Sequence, residues 1–495
     1  MALVLGLDIG TTSTIGIVIE TEGAVRAMAS RPVRLASPHP GWAEEDPAEW
    51  WANVCALVPE LLARAGARPE EITAIGVGGM LPAIVLLDGA GQVLRPSIQQ
   101  SDGRCGAEVA EMAADLDAAA FLARTGNGIN QQLAAPRLRW IARHEPAVAA
   151  RIATVLGSYD YINFRLTGER AVEQNWALEA GLTDLARHAI ADDLVALTGL
   201  PRTAVPRRVG STEILGPVTA AAARATGLAP GTPVVGGAAD FIASALVAGV
   251  TRPGDVLLKF GGSVDVLTAS ATARPDARLF LDYHLIPGVF VPNGCMATGG
   301  SALNWFAATF AGGIETAGGS RHQALDRLAA AVPAGAEGLT VLPYFLGEKT
   351  PLHDPAARGV FEGLTLSHGL GHLWRALLEA YAYAIRHHVE VMEELGHAPR
   401  RFLVSDGGSA SAVWMQIVAD VLGQPLRALV GHPGTCLGAA WTAAMGAGLG
   451  LEWSGVDRFV TPGPEYRPDP THSAVYDAGY ARFRALYRQV YRPEQ

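Results

Sequence analysis

Cysteine is scarce in this chain. The four present, Cys55, Cys105, Cys295 and Cys436, stand far apart and form no C-x-x-C pair, which excludes a zinc module and a disulfide framework and makes reduced thiols in a cytoplasmic protein the expectation. Dense runs of lysine or arginine are missing as well, and the formal charge is -10. A surface built to grip a phosphate backbone is thereby excluded as the main business of the protein, and no nucleic acid is expected as a partner. Charged residues account for 17% against 49% hydrophobic, a balance that excludes a disordered chain. The most apolar stretch, residues 233–250, is broken by glycines and carries Asp240 in its middle. A charge there would cost about 2.5 to 3.5 kcal/mol in lipid, so a buried strand, turn and helix is expected and no membrane span. Met1 to Gly6 runs straight into a strand, without a basic leader or a small-residue cleavage site, so no export signal is expected.

What is present is a length of 495 residues, enough for about three average domains or two α/β domains of about 250 residues. Leu3 to Ile9 reads as a buried strand, Gly10 to Ser13 as a polar turn and Ile15 to Ile19 as a returning strand. The arrangement recurs at Val256 to Phe260, Gly261-Gly262-Ser263 and Val264 to Leu267, which predicts two related halves. Strands at 72–77 and 83–87 alternate with helical segments at 107–120 and 134–143. In the second half, helices at 301–310, 371–395 and 412–422 alternate with strands at 338–342 and 401–404. Mixed sheets faced by helices follow. The turn-rich break Thr251-Arg252-Pro253-Gly254 puts the boundary near Val250 to Gly254, giving domains 1–250 and 251–495.

A turn rich in glycine and hydroxyls beside a carboxylate suits a nucleotide: amides and threonine hydroxyls meet phosphate oxygens while the acid holds a hydrated magnesium. Asp8-Ile9-Gly10-Thr11-Thr12 has that composition, although an ordinary hairpin tip has it too. Asp240 reads equally as a helix N-cap, and Gly407-Gly408 as a tight strand-to-helix turn. His368 and His372 have metal-ligand spacing, but with His387 and His388 nearby and no third ligand, exposed helix positions are expected in place of zinc. Trp50-Trp51 after Glu44-Glu45-Asp46 reads as a helix start, with Asp46 capping, Pro47 in the first turn and the tryptophans inward.

Several ordered motifs carry a resemblance. They are Asp8 to Ser13; Asp102-Gly103-Arg104; Ala135 to Trp140 with His144-Glu145-Pro146; Asp160-Tyr161 with Leu166-Thr167-Gly168; and Gly236-Gly237-Ala238-Ala239-Asp240. The second half adds Leu342-Pro343-Tyr344, Gly347 to Pro351, Gly359 to Leu364, Asp406-Gly407-Gly408 with Gln416, and Leu437-Gly438-Ala439-Ala440. With these the chain resembles the FGGY family of carbohydrate kinases, most closely its xylulokinase branch. The resemblance implies an α/β, actin-like ATPase fold of two ribonuclease-H-like domains around a central cleft. ATP and Mg2+ are implied as cofactors, a sugar as the small-molecule substrate, and a homodimer as a possible assembly.

By position, the resemblance makes Asp240 the catalytic base that takes the proton from the attacking hydroxyl. Asp8 is implied at the metal, Thr11 and Thr12 at the β- and γ-phosphates, Gly262 on the second phosphate loop, and Gly300, Asn304, Gly407, Gly408 and Ser411 around adenosine. Leu81, Pro82 and Asp102 are implied beside the sugar. The implied reaction is phosphorylation of D-xylulose to D-xylulose 5-phosphate; another ketose or a polyol such as ribulose or erythritol is the alternative, and a regulatory actin-like ATPase the third reading. The chain departs from the branch at Met80-Leu81-Pro82-Ala83, at Phe241 after the base and at Gln100 before Asp102, so side chains able to bond a ketose are partly missing. It departs again at Gly261-Gly262-Ser263, where Gly-Thr-Ser is usual, which removes a hydroxyl near the phosphates.

Overall fold

A computed structural model describes residues 2–316, 318–431 and 433–492. Two seven-stranded sheets form its frame. In the first, Leu3–Ile9 pairs antiparallel with Ser13–Glu20, which pairs with Ala24–Pro32, and parallel with Ile72–Gly79, beyond which lie Pro233–Val235 and Ile214–Pro217. The central strand's almost uniformly apolar sequence is what cover on both faces demands. The second sheet repeats this order. Asp255–Phe260 pairs antiparallel with Val264–Thr268, itself beside Phe290–Cys295, and parallel with Arg401–Ser405 and then Leu426–Leu429. The duplication foreshadowed by two glycine-rich hairpins thus extends to whole sheets.

The expected break at 250–254 falls between the helix Asp240–Val247 and the strand Asp255–Phe260. The packing is less simply divided. After Leu426–Leu429 in the second sheet, the helix Thr435–Gly446 packs on the first sheet and joins its core through Leu437, Ala440 and Trp441. The chain then returns to the second sheet at Pro462–Tyr466. The helix lies so close that a Cβ on Gly6 would sit 2.0 Å from the Cys436 carbonyl oxygen, and one on Gly76 2.0 Å from that of Ala439. Glycine is required at both strands for this approach. A second seam joins the halves at Phe280–Tyr283, the edge strand of the second sheet. There the side-chain amides of Asn127 and Asn175 each accept from one backbone amide and donate to one carbonyl, of Leu281 and Tyr283 respectively, at 2.8–3.0 Å. Two asparagines thereby pair an edge that would otherwise be open.

Three local expectations change. The helix read at 107–120 is two, Gly106–Asp115 and Ala118–Thr125, because Asp117 caps a fresh start by accepting from the amides of Ala119 and Ala120. The strand read at 338–342 is limited to Thr340–Leu342. Against the expected exposed helix positions, His368 precedes the helix Leu370–Glu394 and is half-buried, His372 is half-buried in its first turn, and His387 and His388 are buried within it. Burial holds the pKa values of His387 and His388 down, to about 4 for His388. Among the described residues no group of three or more His, Cys, Asp or Glu could hold a metal, and no helix is long and apolar enough to cross a membrane. Asp46 accepts from the Ala48 amide at 2.9 Å, Trp50 is buried and Trp51 half-buried, as the capping pattern predicts.

Candidate active site

The parallel strands of the first sheet end in register. Asp8 pairs with Gly78 and Ile9 with Gly79, while the two-residue strand Ala238–Ala239 pairs with the same glycines. Asp240 is therefore the next residue past a strand end level with Ile9, at the first position of the helix Asp240–Val247. Its Oδ1 accepts from the Phe241 amide at 2.6 Å, and its carbonyl accepts from Thr435 Oγ1 at 3.1 Å. The N-cap is Ala239 and makes no side-chain cap bond, so Asp240 is the first helical residue and not the cap read from the sequence. Burial raises the Asp240 pKa, and the Lys259 ammonium opposes that rise.

Asp8 is strongly perturbed. Burial first, and the neighbouring Asp240 charge second, push its carboxyl from 3.8 up to about 8, with Lys259 pulling the other way. Its Oδ1 is buried and has no hydrogen-bond partner. A buried carboxyl with an unpartnered oxygen fits a hard cation, whose charge would favour the ionised form and which would complete its shell with water and phosphate oxygens. Thr11 and Thr12 cap the hairpin, closed by the Gly10 amide bonding the Ser13 carbonyl at 3.0 Å. Asp8 also lines a cavity of about 460 Å³ together with Ser405, Asp406 and Thr435. The two halves therefore meet across it.

A second cavity, of about 560 Å³, is lined by Gly262, Gly300, Asn304, Gly407, Gly408 and Ser411, so six of the residues named for the nucleotide come together. Thr11 and Thr12 do not line it. The Gly300 amide donates to the Gly261 carbonyl at 2.9 Å, which docks the helix Gly300–Phe310 onto the loop. A Cβ on Gly408 would meet Trp414 at 2.7 Å and Phe260 at 2.8 Å. Sequence reasoning missed Asp326, which also lines this cavity and accepts from Ser411 Oγ at 2.7 Å and Trp374 Nε1 at 2.8 Å. It sits in a helix with no motif of its own, so only the fold could reveal it.

Of the residues named for the sugar, Leu81 and Pro82 are buried in the turn that follows Gly79. The carbonyls of Met80, Pro82 and Ala83 accept from Ser158 Oγ, Arg137 Nη1 and Trp176 Nε1 at 2.6, 2.6 and 2.8 Å. Arg137, quoted within a motif but given no role, is fully buried and also holds the carbonyls of Gln100 and Gln131. One guanidinium thus ties together three loops. Burial lowers its pKa to about 10, leaving it cationic at neutral pH. Gln100 Oε1 is buried without a partner. Asp102 presents no spare oxygen: Oδ1 accepts from the Arg104 amide and Nε, and Oδ2 from Arg104 Nη2 and the Ala43 amide, at 2.6–3.0 Å. Arg104 in turn stacks 3.7 Å over Trp42 and pairs with Glu44. In this conformation the Asp102 carboxylate is wholly taken up, by the buried Arg104 and the Ala43 amide.

Residues 3–247 match the N-terminal domain, and residues 256–447 the C-terminal domain, of the FGGY family of carbohydrate kinases. The chain belongs to that family. The fold of an FGGY kinase is the actin-like ATPase architecture seen here, and the enzyme is a sugar kinase. A crystal structure of xylulose kinase from Rhodospirillum rubrum is 59% identical, covers 99% of each chain and superposes with a TM-score of 0.95. One from Brucella ovis is 31% identical over 99% of this chain and 100% of that one, with a TM-score of 0.90. The xylulose kinase of Escherichia coli is 31% identical over 98% of this chain and 99% of its own length.

Proposed function

We propose that this FGGY kinase transfers the γ-phosphoryl group of Mg-ATP to the terminal hydroxyl of D-xylulose, yielding D-xylulose 5-phosphate and ADP. The observation that carries the proposal is the register that sets Asp240 one step past the strand end level with Ile9, beside Asp8 and opposite a second glycine loop. The similarity to xylulose kinases at 31% and 59% identity supports the choice of acceptor.

In this reading the Asp240 carboxylate accepts the hydroxyl proton as the oxygen approaches phosphorus. Burial raises its affinity for that proton, and Lys259 restrains the rise so that the base stays available. Asp8 would hold Mg2+, which when bound neutralises phosphate charge. Thr11, Thr12 and Gly262 meet the β- and γ-phosphates, and Gly300, Asn304, Gly407, Gly408 and Ser411 surround adenosine. Main-chain groups at Leu81 and Pro82 orient the sugar, and Asp102 acts by fixing Arg104. Closure of the halves excludes water that would otherwise take the phosphoryl group. The cytoplasm, with its ATP and Mg2+, is the compartment this chemistry calls for.

A broader acceptor range is the second reading, favoured by the apolar Leu81 and Phe241. Each neutral hydrogen bond lost is worth about 0.5 to 1.5 kcal/mol, at most about tenfold in discrimination. Coupled ADP-release assays should show D-xylulose accepted, with at least one of L-xylulose, D-ribulose, L-ribulose, erythritol or glycerol within about two orders of magnitude in kcat/KM. One strongly preferred acceptor other than xylulose would overturn the substrate and leave the kinase. Stimulation by none of them, with ATP still bound, would favour the regulatory ATPase.

A further inference from the structure

Lysine occurs at two positions in the whole chain, 259 and 349, every other permanent side-chain cation being arginine. Both lie at one end of the second sheet. Lys259 is on Asp255–Phe260, two residues ahead of the glycine loop; its register partners are Asp265 on Val264–Thr268 and Ser405 on Arg401–Ser405. Asp265 is in turn level with Cys295, against whose Sγ the Lys349 Nζ rests at 3.8 Å. Register partners share a face. Two residues back on that face, Leu257, Leu267 and Leu403 belong to the core of the first half. Lys259 therefore looks toward the first half across the cleft.

Its surroundings are acidic from both sides. Asp265 adjoins it on its own sheet, and Asp8 and Asp240 of the first half both feel its charge. Half-buried, Lys259 closes no ion pair within 4.0 Å among the described residues. Ser405 Oγ, beside it, is buried without a partner. A cation placed among three acidic side chains yet bonded to none is held for an anion that arrives later. The same loop lacks the usual hydroxyl, because Gly262 stands where threonine is common, and a Cβ at Gly262 would project into open space.

We infer that Lys259 supplies what Gly262 omits: its ammonium engages the phosphoryl group in transit, binding the γ-phosphate of the nucleotide and following it to the acceptor. The inference rests on the kinase reading above. In the step, the sugar oxygen loses its proton to Asp240 and forms a bond to phosphorus as the bond to the β-phosphate oxygen breaks. ADP leaves, and Lys259 stays protonated throughout. Lysine suits the task because a compact ammonium with three rotatable donors can follow a moving group, whereas the guanidinium fork is fixed in its geometry. Lys259 is thus a catalytic residue that the glycine motif alone does not announce.

The test compares two ligands on the wild type, Lys259→Met and Lys259→Arg: ADP, and a non-hydrolysable ATP analogue, each with Mg2+ and measured by calorimetric titration. For Lys259→Met the analogue should weaken by roughly 10- to 100-fold, the worth of a charge-assisted contact, while ADP changes less than about threefold. Near-normal ADP binding also certifies that the variant is folded. Lys259→Arg should recover part of the analogue affinity and less of the turnover. Equal losses for both ligands, or none for either, would overturn the role of Lys259 while wild-type turnover keeps the kinase reading. A wild type that binds neither ligand would overturn both.

Discussion

Replacing Asp8 by asparagine should destroy Mg2+-dependent turnover and yet make the unliganded protein more stable. Asp8 is buried, one of its oxygens has no donor, and its carboxyl is pushed from 3.8 to about 8. Below about pH 3.8 the group is neutral in the folded and unfolded chain alike and costs nothing. As pH rises, the unfolded chain gains from an ionisation that the folded one resists, so wild-type stability is lost progressively between 3.8 and about 8. At about 1.36 kcal/mol per pKa unit, the interval up to pH 7 corresponds to roughly 4 kcal/mol as a ceiling. The amide that replaces the acid still leaves a buried oxygen unpaired, which returns about 1 to 3 kcal/mol of that. The net gain expected is about 1 to 3 kcal/mol near pH 7, a rise of a few degrees in Tm. Scanning calorimetry of both proteins from pH 4.5 to 8.5 should show the Tm difference opening with pH. Mg2+ with an ATP analogue should then narrow it by stabilising the wild type more. A variant that is less stable at pH 8, or a difference constant with pH, would refute the picture of Asp8 as an uncompensated buried acid.

Asp240→Asn should retain the fold and much of the nucleotide affinity while turnover falls by roughly 10² to 10⁴, the usual worth of a general base; wild-type turnover in that variant would show that the base lies elsewhere. Arg137→Lys keeps a cation but cannot span three loop carbonyls, so KM for the sugar should rise by about tenfold, with KM for ATP nearly unchanged. Steady-state kinetics with each substrate varied in turn checks it. A parallel rise in both KM values would mean that Arg137 supports the fold at large and not the acceptor wall.

Much of this arrangement could be read from the chain. The two hairpins betray themselves because a strand covered on both faces must be nearly all apolar, and a loop that admits phosphates must be small and polar. Six of the eight residues named for the nucleotide line one cavity because they follow strands or lie at or near the starts of helices at the same end of the second sheet. Asp102 shows where such reading stops. Its motif is plain, but the sequence does not say that the arginine two residues on takes up its carboxylate. His387 and His388 illustrate a related limit. Both sit on the long helix Leu370–Glu394, and only the elements packed around it decide which of its faces is covered. Arg137, Asp326 and Lys259 have their meaning in partners far away along the chain.

The return of the helix Thr435–Gly446 to the first sheet means that the chain passes between the halves three times: after Val247, after Leu429 and before Pro462. A body joined to another by one tether can swivel about it in any direction, whereas three separated tethers leave few motions that stretch none of them. Closure of the halves as proposed above should therefore be confined to something near a single axis, returning Asp240 to the same place opposite the second loop. The same wiring governs how the gene can be cut. A fragment ending at 250 would lack the helix that fills the hollow left by Gly6 and Gly76, so the pieces should be insoluble apart and active only when made together.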